Sequence, residues 1–202
     1  MIYLTYAEIP EQNIGVDFVR GLFGRIEYLD AILKRKNEAS VKESLAALVL
    51  LQRVMADIGE VTSEMILIKD PNGRPAVSGR SDIDFSLSHT DRFVACAVSN
   101  AGNVGVDMER IPKGNRYEKI LKRFFLEEEQ GKVKNAFDFA REWTKKEASY
   151  KQNAKGGSLA ETNSGAYALK NIESFFVEEE YLISVCSEIS ENAIKELKKL
   201  EI

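Results

Sequence analysis

The chain has 202 residues, 44% hydrophobic and 30% charged, which suits one large soluble domain or two small packed ones. Its formal charge of −4 argues against a dedicated nucleic-acid binder, since those carry a net basic balance, but leaves room for a local basic pocket. No apolar run approaches the roughly 20 residues of a membrane span, the start Met1-Ile2-Tyr3-Leu4-Thr5 lacks the marks of a signal peptide, and the two cysteines, Cys96 and Cys186, sit in apolar runs as free buried thiols, so a cytoplasmic protein with no membrane partner is expected.

Ile2 to Ile9 reads as a strand. Ser40 with Glu43 forms a capping box for a helix carrying Val41, Leu45, Leu48, Val49 and Gln52 inward and stopping at Gly59. A short strand, Met65 to Lys69, meets the turn Asp70-Pro71-Asn72-Gly73. Ile83, Phe85 and Leu87 alternate with Asp84, Ser86 and Ser88, the period-2 pattern of a half-buried strand. Phe93 to Val98 is apolar throughout, and Val104 to Met108 follows a Gly-containing loop, which predicts a hairpin. Helices are expected near Tyr117 to Lys134 and Phe137 to Asn153, the second ended by Gly156-Gly157. Strands near Ile172 to Val177 and Tyr181 to Ser187 and a charged terminal helix, Glu191 to Leu200, complete an α+β order of helix then strands, twice over.

The informative segment is Gly105-Val106-Asp107-Met108-Glu109. On a strand, residues two apart share a face, so Asp107 and Glu109 point one way and repel unless a cation or a basic group sits between them. Mg²⁺ takes oxygen ligands of this kind together with substrate phosphates, yet two solvated strand-end acids would read the same. Ala140, Trp143, Glu147 and Tyr150 form one helical stripe, and the two aromatics demand burial. A carboxylate there needs a partner, either Lys151 one turn on or a metal shared with Asp107 and Glu109.

These two segments, Gly105 to Glu109 and Trp143-Thr144-Lys145-Lys146-Glu147-Ala148-Ser149-Tyr150-Lys151, resemble the paired signature of the 4'-phosphopantetheinyl transferases. Gly73-Arg74-Pro75, Phe85-Ser86-Leu87-Ser88-His89-Thr90, Phe124-Phe125 with Glu127-Glu128-Glu129, and Lys155-Gly156-Gly157-Ser158-Leu159 are similar to four further elements of that family, in order. The chain length resembles the larger, surfactin-synthetase-activating branch. The resemblance implies two similar packed α+β subdomains related by a pseudo-twofold, residues 1–100 and 101–202, in a monomer. It also implies transfer of the phosphopantetheine arm of coenzyme A to a serine of an acyl or peptidyl carrier protein. A non-catalytic relative that binds coenzyme A or a carrier, and an unrelated Mg²⁺-dependent phosphohydrolase, are the competing readings.

By the same resemblance Asp107, Glu109 and Glu147 would hold Mg²⁺, Glu147 would take the serine proton, and Lys151 would contact the pyrophosphate. His89, the sole histidine, and Ser88 would meet a coenzyme A phosphate, with Arg74 near the adenine or its phosphates and Pro75 shaping the backbone. Arg25, Lys34, Arg35, Lys36 and Lys42 are candidates for the 3'-phosphate, and Lys42 stands where the family's arginine is expected. Lys146 and Lys155 read equally well as phosphate contacts or surface charge, Trp143 as packing, and Phe124 and Phe125 as core or docking edge.

Overall fold

A computed structural model describes residues 1–153, 159, 171–188 and 194–202. The chain runs β1 (Ile2–Glu8), α1 (Val16–Arg20), β2 (Arg25–Ile26), α2 (Leu29–Leu33), α3 (Glu38–Asp57), β3 (Ile66–Lys69), β4 (Pro75–Val77), β5 (Asp84–His89) and β6 (Phe93–Ser99). There follow β7 (Val104–Arg110), α4 (Glu118–Phe124), α5 (Glu127–Gln130), α6 (Ala136–Asn153), β8 (Asn171–Val177), β9 (Tyr181–Ser187) and β10 (Ile194–Leu200). The strands form three sheets, ordered β10-β1-β6-β5, β2-β3-β4 and β7-β9-β8. The α+β class expected from the element order is the one observed.

β6 is apolar at nearly every position because both of its faces are covered. Val94, Cys96 and Val98 pack against Leu45, Leu48 and Leu51 of α3. Phe93, Ala95 and Ala97 pack on the other side with Val104, Val106 and Met108 of β7 and Ile183 and Val185 of β9. With α6 lying on β7 and β9, the layers run α3, first sheet, β7-β9-β8 sheet, α6. The alternation of β7 therefore separates its tasks: the apolar residues enter the core, while Gly105, Asp107 and Glu109 face the helix side.

β7 does not form the expected hairpin with β6. It pairs antiparallel with β9, and β6 pairs with β1 and β5. Instead β7 runs beside β5, joined by side chains. Asp84 Oδ2 accepts from the Val104 amide at 2.7 Å, Ser86 Oγ from Val106 at 3.0 Å and Ser88 Oγ from Met108 at 3.1 Å. The polar face of β5 that reads as solvated is thus turned to a neighbouring backbone, and Ser86 and Ser88 are buried. Buried amides must find partners, and three alternate side-chain oxygens satisfy them where a backbone ladder is absent.

Three other expectations change. α3 begins at Glu38, capped by Asn37, whose side chain accepts from the Ser40 amide, so Ser40 is not the cap and Glu43 is free for another partner. The helix expected over 117–134 breaks at Phe125, which adopts extended backbone and buries its ring with Phe139 and Trp143. The terminal helix is the strand β10, parallel to β1. Ile194 and Leu197 lie three apart, a helical spacing, but a register shift between Ile2 and Leu4 puts both residues on the same core. Gly156 and Gly157 lie outside the described residues. The chain passes from the first sheet to the β7 sheet just after residue 100, and β10 returns to the first.

Candidate active site

The site is assembled where α6 meets β7, and a glycine permits it. A Cβ on Gly105 would stand 2.0 Å from the Ala148 carbonyl oxygen and 2.5 Å from the Gln152 amide nitrogen, so only glycine lets α6 lie this close. That approach sets Glu147 and Lys151 beside the carboxylates of β7. Asp107 is 2% exposed. Its Oδ1 accepts from Lys151 Nζ at 2.7 Å and from Ser88 Oγ at 2.9 Å, while Oδ2 has no hydrogen-bond partner. Trp143, one turn before Glu147, lies close enough to Glu109 to oppose the rise of its pKa.

The electrostatics follow from this crowding. Burial, then the negative charges of Asp107 and Glu147, push the Glu109 carboxyl up to about 8. Burial and Asp107 push Glu147 up to about 7, with Lys151 opposing. Burial pulls the Lys151 ammonium down, but Asp107, Glu147 and Glu109 together outweigh it and hold its pKa above the ordinary value. Three neighbouring carboxylates thus share one ammonium. No group of three or more Asp, Glu, His or Cys side chains is gathered into a ready metal-holding set among the described residues. The donor chemistry nevertheless fits a hard divalent cation: carboxylate oxygens alone, and one of them buried without a partner.

Around this cluster lie a cavity and a second cationic edge. The cavity, of about 260 Å³, is lined by Lys151 with Arg74, Pro75, Phe85, Leu87 and Tyr150. At the end of β5, His89 Nδ1 lies 3.1 Å from Glu43 Oε2 of α3. Burial lowers the His89 pKa; Glu43 opposes this, and Lys151 and Arg35 reinforce it, so the imidazole stays below its usual value. Arg35 is held by the hydroxyls of Ser44 at 2.8 Å and Ser40 at 3.3 Å.

A family model of the 4'-phosphopantetheinyl transferase superfamily matches residues 103–187, which span β7 to β9. The 4'-phosphopantetheinyl transferase gsp of Aneurinibacillus migulanus is 34% identical over 165 residues, 77% of this chain and 67% of the relative. The chain belongs to the 4'-phosphopantetheinyl transferase family. The transferase AcpT of Salmonella typhi is 29% identical over 64% of this chain and 67% of its own length. A 4'-phosphopantetheinyl transferase of Bacillus subtilis is 28% identical over 57% and 59%.

In this phosphopantetheinyl transferase the structure brings Asp107, Glu109, Glu147, Lys151, Ser88 and His89 together. Lys151 pairs with Asp107 of β7 rather than serving only its own helix. Arg74 reaches the cavity wall, but its guanidinium is engaged by the Asp84 carboxylate and by the Phe85 and Val104 carbonyls, at 2.9 and 2.8 Å. Pro75 starts β4 and lines the same cavity. Lys42 donates to the Glu11 carbonyl at 2.7 Å and borders a different cavity with Glu43 and Arg92. Lys155 and Ser158 lie outside the described residues. Lys146 is no surface charge: it is 1% exposed, 3.3 Å from Glu129 Oε2 and over the Phe125 ring. Trp143 packs with Phe139, as expected. Tyr150, expected in the sequence only as a buried position of the stripe, is half-buried and lines the cavity, and the tie from Ser88 to Asp107 went unmarked.

Proposed function

We propose that the enzyme transfers the 4'-phosphopantetheine arm of coenzyme A to a carrier-protein serine with Asp107, Glu109 and Glu147 holding Mg²⁺ against the pyrophosphate. The observation that carries this is a set of neighbouring carboxylates, with buried Asp107 leaving Oδ2 unpartnered, tied to Lys151, which also lines a cavity. A divalent cation held there would supply positive charge to offset that developing on the phosphoanhydride oxygens.

The chain's own groups do the rest. The serine oxygen forms a bond to the phosphorus bearing the pantetheine arm, the bond to the bridging oxygen breaks, and the adenosine bisphosphate leaves. Lys151, positively charged and already among the acids, offsets the charge on the departing phosphate. Glu147 is placed to accept the serine proton; its rise to about 7, from burial and Asp107, belongs to the cation-free site. His89 and Arg35 supply the phosphate-binding edge at the start of α3, ahead of Lys42, whose ammonium is bonded elsewhere. The Arg74-Pro75 wall takes the adenosine end. Acyl and peptidyl carrier proteins are the partners, and a cytoplasmic location suits buried cysteines that form no disulfide, Cys96 and Cys186.

Intact-mass measurement of apo carrier proteins incubated with the enzyme, coenzyme A and Mg²⁺ tests this. One phosphopantetheine is added to a carrier, and chelating the metal stops it. No adduct on several acyl and peptidyl carriers overturns the reading, and coenzyme A cleavage without a carrier points to a hydrolase.

A further inference from the structure

We propose that Ser88 is a positioning residue that selects which oxygen of Asp107 is left open for the cation; this rests on the metal reading above. The Ser88 hydroxyl is fully engaged within the protein. It donates to Asp107 Oδ1 at 2.9 Å and accepts from the Met108 amide at 3.1 Å and from Lys151 Nζ at 3.2 Å. A hydroxyl has one proton and two acceptor sites, so nothing remains for a substrate phosphate unless one of these bonds breaks. Ser88 is also buried, at 6% exposed.

The consequence is an asymmetric carboxylate. Oδ1 holds two hydrogen bonds, from Ser88 and Lys151, and Oδ2 holds none, although both lie in the protein interior. An unpartnered buried carboxylate oxygen is unfavourable and is tolerated where a cation completes it. Rotation of the carboxylate would exchange the two oxygens, and the bond to Ser88 opposes that rotation. Ser88 is itself fixed by the Met108 amide, so the register between β5 and β7 passes directly into the orientation of Asp107.

The neighbouring residue supplies an internal control. Ser86 makes the same side-chain bond to β7, to the Val106 amide at 3.0 Å, but the β7 residue two before Asp107 on that face is Gly105, which has no carboxylate to orient. Ser86→Ala and Ser88→Ala therefore remove equivalent strand contacts, and only the second frees Asp107.

Calorimetric titration of Mg²⁺ into the metal-free enzyme, with substrate kinetics on the same variants, separates these roles. Ser88→Ala is expected to weaken Mg²⁺ binding by about 10- to 100-fold, the range seen when a residue orienting a metal ligand is removed. Ser86→Ala should leave Mg²⁺ affinity within about twofold while lowering the melting temperature comparably, and Ser88→Thr, which keeps the hydroxyl, should restore binding. Equal Mg²⁺ affinity in wild type and Ser88→Ala overturns the proposal. A raised KM for coenzyme A with unchanged Mg²⁺ affinity also overturns it and makes Ser88 a substrate ligand. Failure of the wild-type enzyme to bind Mg²⁺ would instead remove the metal reading on which the proposal stands.

Discussion

Glu109 and Glu147 carry carboxyls raised to about 8 and about 7, each mainly by burial and then by neighbouring acids. A carboxyl whose pKa in the folded state exceeds its unfolded value binds more protons when folded, so its stabilising contribution is complete below the unfolded value and lost as pH rises through the folded one. The metal-free enzyme should therefore melt at lower temperature as pH rises from about 5 to about 8.5. Because Mg²⁺ competes with those protons, its stabilising shift should grow over the same range; a shift independent of pH in thermal melts would contradict this. Lys146 gives a second test at this scale. It is buried against Glu129, and removing one partner of such a pair leaves an uncompensated charge, so Lys146→Met should cost about 3–5 kcal/mol in chemical denaturation. The double variant Lys146→Met with Glu129→Leu should recover most of that loss, and additive losses would show that the two are not coupled.

At the scale of elements, the contact of α6 with β7 at Gly105 decides the geometry. Gly105→Ala forces the Ala148 carbonyl and the Gln152 amide away, and Glu147 and Lys151 move with them. A displacement of about 1 Å at reacting groups lowers rate roughly 100-fold, so kcat/KM should fall by that order while far-ultraviolet circular dichroism shows a folded protein; unchanged turnover would refute the close-contact account. The β8-β9 turn serves as a neutral counterpart. Glu178 and Glu179 adopt φ of 51° and 58°, a left-handed pair that glycine fits better. Glu179→Gly should stabilise by about 0.5–1 kcal/mol without changing transfer, as a denaturation curve would report. Legibility also divides by element. β5, β6 and β7 show in their apolar patterns, whereas β10 does not, because Ile194 and Leu197 reach one core only through a register shift that local spacing conceals. The Asn37 cap is missed for a similar reason: Ser40 and Glu43 match a capping box, yet the side chain that meets the Ser40 amide comes three residues earlier.

Across the whole molecule, the site depends on two helices and two sheets held in one register. Asp107 and Glu109 are legible as a pair because a strand puts them on one face, and Glu147 because its stripe is aromatic. Lys151 is legible one turn later, but its true partner lies 44 residues away on β7. The bond from Ser88 to Asp107 spans 19 residues and arises from the side-by-side course of β5 and β7, which no short-range spacing encodes. Likewise the sequence leaves Lys146 open between a phosphate contact and surface charge, and only the break of the helix at Phe125 brings Glu129 over it. We propose that these distant segments converge at Asp107 to hold a cation and a pyrophosphate. The most direct measurement is the mass of a carrier protein after incubation with coenzyme A, Mg²⁺ and either the wild-type enzyme or Asp107→Ala of matched folded content. Wild type should add one phosphopantetheine and Asp107→Ala should add none over the same period; near-normal addition by Asp107→Ala would contradict the account.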